Sequence, residues 1–206
     1  MSSVRQQNFL LRKEKILAMA ETLLLDNTQD ITLSELAAEL DIAKGTIYKH
    51  FKSKNQLYLE LIIQNEKRLL DISKTHHKDI KTYVSQYMLY NMLNSNRTIL
   101  LHVIEERLTN NERKLNDLFE ELYQVREDRI LELKDLFGEH LKALNSTMSI
   151  RDYLSYIWTV TYGASLLLNS THYQKSIGSR ERLIKLYVNQ ALMTPDKLTD
   201  NEHQTN

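Results

Sequence analysis

Apolar residues recur three and four positions apart along nearly the whole chain and nowhere alternate with polar ones, which predicts helices throughout and no sheet. Leu11, Ile16, Leu17, Ala20, Leu23 and Leu24 form the first stripe, a helix from about Asn8 to Leu25, with Asn27 suited to a left-handed cap. Leu36, Ala37 and Leu40 share one face of a short helix, Leu33 to Leu40. Thr32, three residues ahead of Glu35, reads as its N-cap with a capping-box partner. The turn Asp41-Ile42-Ala43 leads to a second short helix, Lys44 to Phe51, with Ile47 and Phe51 on its inner face. A break at Lys52-Ser53 follows, and Ser53 has the chemistry of an N-cap for a helix from Lys54 to about Ser73.

Farther along, the helices lengthen. Ile80 to Leu93 carries Tyr83, Val84, Tyr87, Met88, Tyr90 and Met92 almost all round, the pattern of a helix through the middle of a bundle. Arg97 to Leu108 comes next. Glu112 to Leu144 is one long helix or two meeting at a weak turn, Val125 to Arg129. Ile150 to Thr171 and Arg180 to Met193 are separated by His172 to Ser179 and closed by Pro195, leaving a polar tail, Asp196 to Asn206. The span from Tyr153 to Gln174 carries no formal charge and is long enough for a bilayer. Ser155, Thr159, Thr161, Ser165, Asn169, Ser170 and Thr171 lower its hydropathy, so burial against protein is expected and no membrane partner.

Composition narrows the class. Four glycines and one proline in 206 residues argue against a turn-rich β fold. Lys plus Arg, 27, cancels Asp plus Glu, 27, so any nucleic-acid footprint must be local. Without cysteine there is no disulfide framework, thiolate site or cysteine nucleophile. The start, MSSVRQQNFLLRKEK, lacks the apolar run of a secretory signal, and a cytoplasmic location is expected. Neither a Gly-rich phosphate loop nor a G-x-S-x-G elbow occurs. His102 gathers with Glu105 and Glu106, and His76 neighbours His77, but a metal needs about three or four ligands. No cofactor, metal or enzymatic activity is expected.

The local charge lies at the two short helices. From Ile42 to Gln56 stand Lys44, Lys49, Lys52 and Lys54 with no acidic residue. Two short helices joined by a three-residue turn form a helix-turn-helix, whose second helix enters the DNA major groove by its N-terminal residues. Gly45 lets backbone approach the duplex, Thr46 can meet a base methyl or hydrogen-bond, Tyr48 can reach a phosphate, and His50 can donate to phosphate or base. An ordinary helical hairpin with solvated lysines is the competing interpretation.

The stretch ITLSELAAELDIAKGTIYKHFKSKNQLYLELI resembles the DNA-binding signature of the TetR family of bacterial transcriptional regulators, through Thr32, the frame Ala37 to Ile47, Lys44-Gly45-Thr46, Tyr48, Phe51, Lys54 and Leu57. The resemblance implies DNA contacts by Thr32, Lys44, Thr46, Tyr48, His50 and Lys54, with Gly45 offering its backbone; local charge adds Lys49. Asp41 stands where the family usually has Gly, and Ala43 replaces the usual Ser or Thr, forfeiting a cap worth about 1 kcal/mol.

A helix-turn-helix dimer holds its reading helices roughly 34 to 36 Å apart on double-stranded DNA with a palindromic operator. Tyr153, Ile157, Val160, Gly163, Ala164 and Leu167, with Leu183, Ile184, Tyr187, Val188 and Ala191, either pair with their symmetry mates in a four-helix bundle, as the resemblance implies, or close the core of one chain. Tyr87, Tyr90, His102, Phe119, Tyr123, Trp158 and Tyr162 are candidate contacts to a small-molecule inducer within the bundle, though plain core packing accounts for each singly. The expected organisation is all-α: a helix-turn-helix domain over 1–53, a ligand-binding and dimerisation domain over 54–195, and a polar tail over 196–206. The expected function is a homodimeric, ligand-released repressor, against the alternative of a DNA-bound structural or protein-interaction factor without effector.

Overall fold

The computed structural model describes residues 4–27, 30–111, 115–176 and 178–193. Among these it is helical throughout, with α1 (Val4–Asn27), α2 (Leu33–Glu39), α3 (Lys44–Tyr48), α4 (Lys54–His76), α5 (Ile80–Leu93), α6 (Ser95–Asn111), α7 (Asn116–Ala143), α8 (Ile150–Asn169), α9 (Thr171–Ser176) and α10 (Arg180–Ala191). The all-α class expected from the apolar period is the class found. Helix starts follow side-chain chemistry: Thr32, Asp79, Ser149 and Ser179 each accept a backbone N–H three residues on, at 2.8 to 3.2 Å.

Several boundaries differ from expectation. α1 begins before its apolar stripe and includes Asn27 as a helical residue; the two residues beyond lie outside the described ones. α7 runs unbroken through Val125–Arg129. A short helix, α9, occupies the expected loop, because the extended Ser170 ends α8 while its hydroxyl accepts the Tyr173 N–H at 3.2 Å. Glu112, Pro195 and the tail fall outside the described residues.

The chain forms two compact units, Met1–Asn65 with Leu100–Tyr123, and Glu66–Ile99 with Gln124–Asn206. The first extends past the expected division at residue 53. Leu57, Leu59 and Ile62 of α4, Leu101, Ile104 and Leu108 of α6, and Phe119 and Leu122 of α7 join Ile16, Ala20, Leu36, Ile47 and Phe51 in its core.

In the second unit α8 packs on α5, and α10 on both. Phe137 stands edge-on to Tyr83 and Tyr153, with ring centres 5.7 and 5.5 Å apart. α8 turns Tyr153, Ile157, Thr161, Ala164, Ser165 and Leu168 inward. The buried hydroxyls of Thr161 and Ser165 donate to the carbonyls of Ile157 and Thr161, so burial leaves neither unsatisfied. No helix among the described residues is long and apolar enough to cross a membrane. Of the candidate pairing stripe, Tyr153, Ile157, Ala164, Leu183 and Ala191 are buried within the single chain, whereas Val160, Leu167, Ile184, Tyr187 and Val188 are half-buried and Gly163 is exposed. Trp158, Leu166, Leu186 and Met193 are the large apolar side chains that α8 and the end of α10 leave exposed.

Candidate nucleic-acid interface

The turn between α2 and α3 is built from backbone bonds and one left-handed residue. Thr32 and Glu35 form the expected capping box: the Thr32 hydroxyl accepts the Glu35 N–H at 3.1 Å, and the Glu35 carboxylate accepts the Thr32 N–H at 2.8 Å. Those bonds also hold the Glu35 carboxyl below its ordinary range. At the far end Asp41 takes φ 49°, the region that a glycine would occupy without strain and that Asp tolerates. The Ile42 N–H reaches back to the Ala37 carbonyl at 3.0 Å, closing the helix end. Ala43 starts α3 without a side-chain cap, as its methyl group dictates.

α3 is shorter than the expected Lys44 to Phe51. The N–H groups of Lys49 and His50 bond three residues back, to Thr46 and Ile47, so the last turn tightens before Phe51. Ile47 and Phe51 point inward and are fully buried. Lys44, Gly45, Tyr48 and Lys49 are exposed on the opposite side, with Thr46 half-buried beside them. A methyl group added at Gly45 would meet no atom of the chain within 4 Å, so nothing inside the molecule requires a glycine there. Ser53 caps α4 as expected, accepting the Gln56 N–H at 3.0 Å, while the Gln56 side chain accepts the Lys52 N–H at 2.9 Å.

Besides Thr32 in its capping box, two further sequence-derived contact residues are engaged within the chain. Lys54 pairs with Asp30 and lies 5.8 Å from the centre of the Tyr58 ring. Burial alone would raise the Asp30 carboxyl, but its bonds to Lys54 and Tyr58 outweigh that and hold it low. His50 stacks on Phe9 of α1 with ring centres 4.1 Å apart, and its Nδ1 is buried without a hydrogen-bond partner. Burial, then the neighbouring charges of Arg12 and Lys13, pushes its imidazole below the ordinary range. The sequence reading missed Phe9, Asp30 and Tyr58. Their partners lie in other elements, so no local spacing announces them.

The seven aromatic and histidine candidates for a ligand divide between the two units. His102, Phe119 and Tyr123 belong to the first unit and Tyr87, Tyr90, Trp158 and Tyr162 to the second. Phe119 pairs with Tyr123 at 6.3 Å, Tyr87 stacks with Tyr83 at 6.0 Å, and Trp158 stacks with Tyr162 at 5.2 Å. Tyr90 underlies the Arg97 guanidinium, 4.5 Å from its ring centre. Tyr123 and Trp158 are 46% and 45% exposed, which puts them on the surface of the single chain instead of its interior. Among the described residues no cluster of three metal-binding side chains forms around His76, His77 or His102.

Comparison with known proteins bears on this same region. Residues 16–61, from the buried half of α1 into α4, match the family model described as "Bacterial regulatory proteins, tetR family". The chain is 33% identical over 82 residues to the HTH-type transcriptional regulator QacR of Staphylococcus aureus (strain Mu50), an alignment covering 39% of this chain and 44% of that protein. It is 41% identical over 63 residues to another HTH-type transcriptional regulator, from S. aureus strain USA300, covering 30% of this chain and 32% of the relative. The matches therefore span less than half the length of these curated relatives. With its capped α2, left-handed turn at Asp41 and matching residues 16–61, the N-terminal part of the chain is a helix-turn-helix similar to that of the tetR family of bacterial regulatory proteins.

Proposed function

We propose that this protein is a homodimeric, sequence-specific DNA-binding transcriptional regulator, a repressor released from a palindromic operator by a small-molecule inducer. The observation that carries the reading is Gly45: an exposed helix position where the chain leaves room for a side chain and has none, flanked by Lys44, Tyr48 and Lys49. An external surface approaching the backbone accounts for it, and the duplex is that surface. Lys44 and Lys49 meet phosphates, Tyr48 adds a hydroxyl, and Thr46 faces base edges. Thr32 and Lys54 border the contact through their capping and Asp30-paired positions, and His50 fixes α3 against Phe9 in addition to any bond from its outer nitrogen.

Residues 1–53 read DNA in this scheme, 54–195 bind effector and partner, and 196–206 form a tail. The exposed Trp158, Leu166, Leu186 and Met193 supply the self-complementary face through which α8 and α10 pair with their mates. A repressor loses operator affinity by roughly five- to 150-fold when inducer coupling is about 1 to 3 kcal/mol. Fluorescence anisotropy with the promoter fragment of the protein's own gene tests the reading. Saturable binding that outcompetes an excess of unrelated DNA at fixed salt supports it, and equal affinity for both sinks it.

A further inference from the structure

α1 runs about three turns ahead of its first buried residue, Ile16. At the helical period Arg5, Phe9, Arg12 and Ile16 fall on one side of it. Ile16 and, one turn on, Ala20 are fully buried in the core. Toward the N-terminus the same side changes chemistry. Phe9 stacks on His50 with ring centres 4.1 Å apart yet is still 46% exposed, and Arg5 and Arg12, one turn to either side of it, are exposed.

Charge separates by face in this stretch. Glu14, the only acidic residue between Val4 and Lys15, lies on the opposite side of the helix. Lys13 is paired with Glu60 of α4, whereas among the described residues neither Arg5 nor Arg12 has a carboxylate partner. Arg12 stands near enough to His50 for its charge to act on the imidazole, and the one carboxylate acting on that ring, Glu60, is taken by Lys13. The exposed Lys49 precedes His50, and the exposed Lys52 follows two residues after it. Cations of α1 and of the segment ending α3 therefore gather around one ring. A face that meets only solvent tolerates both signs of charge, but this one excludes acids as it nears α3. Its guanidiniums carry planar forks of donors that match phosphate oxygens.

We propose that the first three turns of α1 form a second DNA-binding element, in which Arg5 and Arg12 bind backbone phosphates beside the groove that α3 enters and Phe9, against His50, sets their distance from Lys49. This rests on the reading of α3 as the DNA-binding helix and adds to it a contact independent of base sequence. The element precedes residues 16–61, the stretch that matches the family model.

A salt series of anisotropy titrations on the full chain tests it, with the promoter fragment of the protein's own gene and with an unrelated duplex. A phosphate contact contributes alike to both, about −0.9 in the slope of log affinity against log salt. Arg5→Gln combined with Arg12→Gln should therefore flatten the slope by about 1.8 on either duplex, so that between about 50 and 200 mM salt the variant loses roughly tenfold less affinity than the parent. Arg5→Lys with Arg12→Lys keeps both charges and should restore the slope, which a role in packing would not predict. Lys134→Gln, an exposed cation of α7, should leave the slope of the parent, and an equal fall there would reduce the effect to net charge and overturn the contact. An unchanged slope in the double glutamine variant, with its helical content retained by circular dichroism, overturns the element and leaves α3 as the reading helix. If that variant does not fold, Arg5→Gln alone should flatten the slope by about half as much, and no change overturns the element equally. A parent that fails to prefer its promoter sinks the sequence-specific regulator, while the unrelated duplex at low salt still decides the phosphate contacts. Absence of binding to either duplex sinks both.

Discussion

The hydroxyl of Tyr58 accepts the backbone N–H of Ile31 at 3.2 Å, tying α4 to the segment that leads into α2. The same hydroxyl donates to Asp30 at 2.6 Å, so one phenol fixes two consecutive residues ahead of the capping box. Tyr58→Phe keeps the ring and its packing but strands a buried N–H. A loss of about 1 to 3 kcal/mol is expected in chemical denaturation, together with weaker operator binding from a loosened α2. An unchanged denaturation midpoint would show that water replaces the phenol.

Gly45→Ala separates folding from recognition. The added methyl meets nothing in the chain, and alanine favours a helix over glycine by about 1 kcal/mol. The variant should therefore be as stable as the parent or slightly more so, yet bind operator more weakly by tenfold or more, about 1.4 kcal/mol. Thermal melts and anisotropy on the same sample decide it, and full affinity at raised stability would remove the main support for α3 as the reading helix.

Lys44→Ala tests the phosphate role by its salt signature. Removing one phosphate-neutralising cation lowers the slope of log affinity against log salt by about 1, whatever the operator sequence. The measurement is a series of binding titrations between low and physiological salt. A loss that depends on the base sequence with an unchanged slope would assign Lys44 to bases instead.

The helix-turn-helix was legible because its signals are local. The Thr32 and Glu35 spacing, a residue at position 41 that tolerates left-handed backbone, and Ile47 with Phe51 on one helical face all lie within about six turns of chain. The Glu66 cluster was not legible: Arg126 and Arg129 meet a carboxylate sixty positions away, and in the apolar pattern of α7 they look like a weak turn. His50 was legible only in part. A histidine among lysines suggests a contact to DNA, whereas its ring stacks on Phe9, a residue outside the motif. The same limit applies to Trp158 and Tyr123, whose period marks them as apolar without telling an inward face from an outward one.

His50 makes the head sensitive to mild acid. Its folded-state value lies below the ordinary 6.5 because burial and the charges of Arg12 and Lys13 disfavour the imidazolium, opposed by Glu60. A depressed value means that the unfolded chain binds the proton more readily. The contribution to stability is therefore complete above the ordinary value and is lost as pH falls through the folded one. Proton NMR of the His50 ring should titrate below 6.5, and Arg12→Ala should move that titration upward by removing a positive neighbour. A midpoint at or above 6.5 in the parent would mean that the Phe9 stack opens in solution.

The pairing face is the last point at which packing dictates an outcome. Leu166 on α8 is 47% exposed and Leu186 on α10 is 58% exposed, while the neighbouring Tyr153, Ile157, Ala164 and Leu183 are already buried. Half-exposed leucines contribute little to the fold of one chain compared with its buried core, so replacing one with a charge separates assembly from folding. Leu166→Glu places a carboxylate on the proposed pairing face, where burial against a partner would strip it of water. Sedimentation velocity should show the parent as a dimer at micromolar concentration and the variant shifted to monomer, with helical content and melting temperature of the isolated chain retained. Operator affinity should fall with it, because two half-sites roughly 34 to 36 Å apart can no longer be held by one particle. A variant that stays dimeric would move the interface off this face, to helices other than α8.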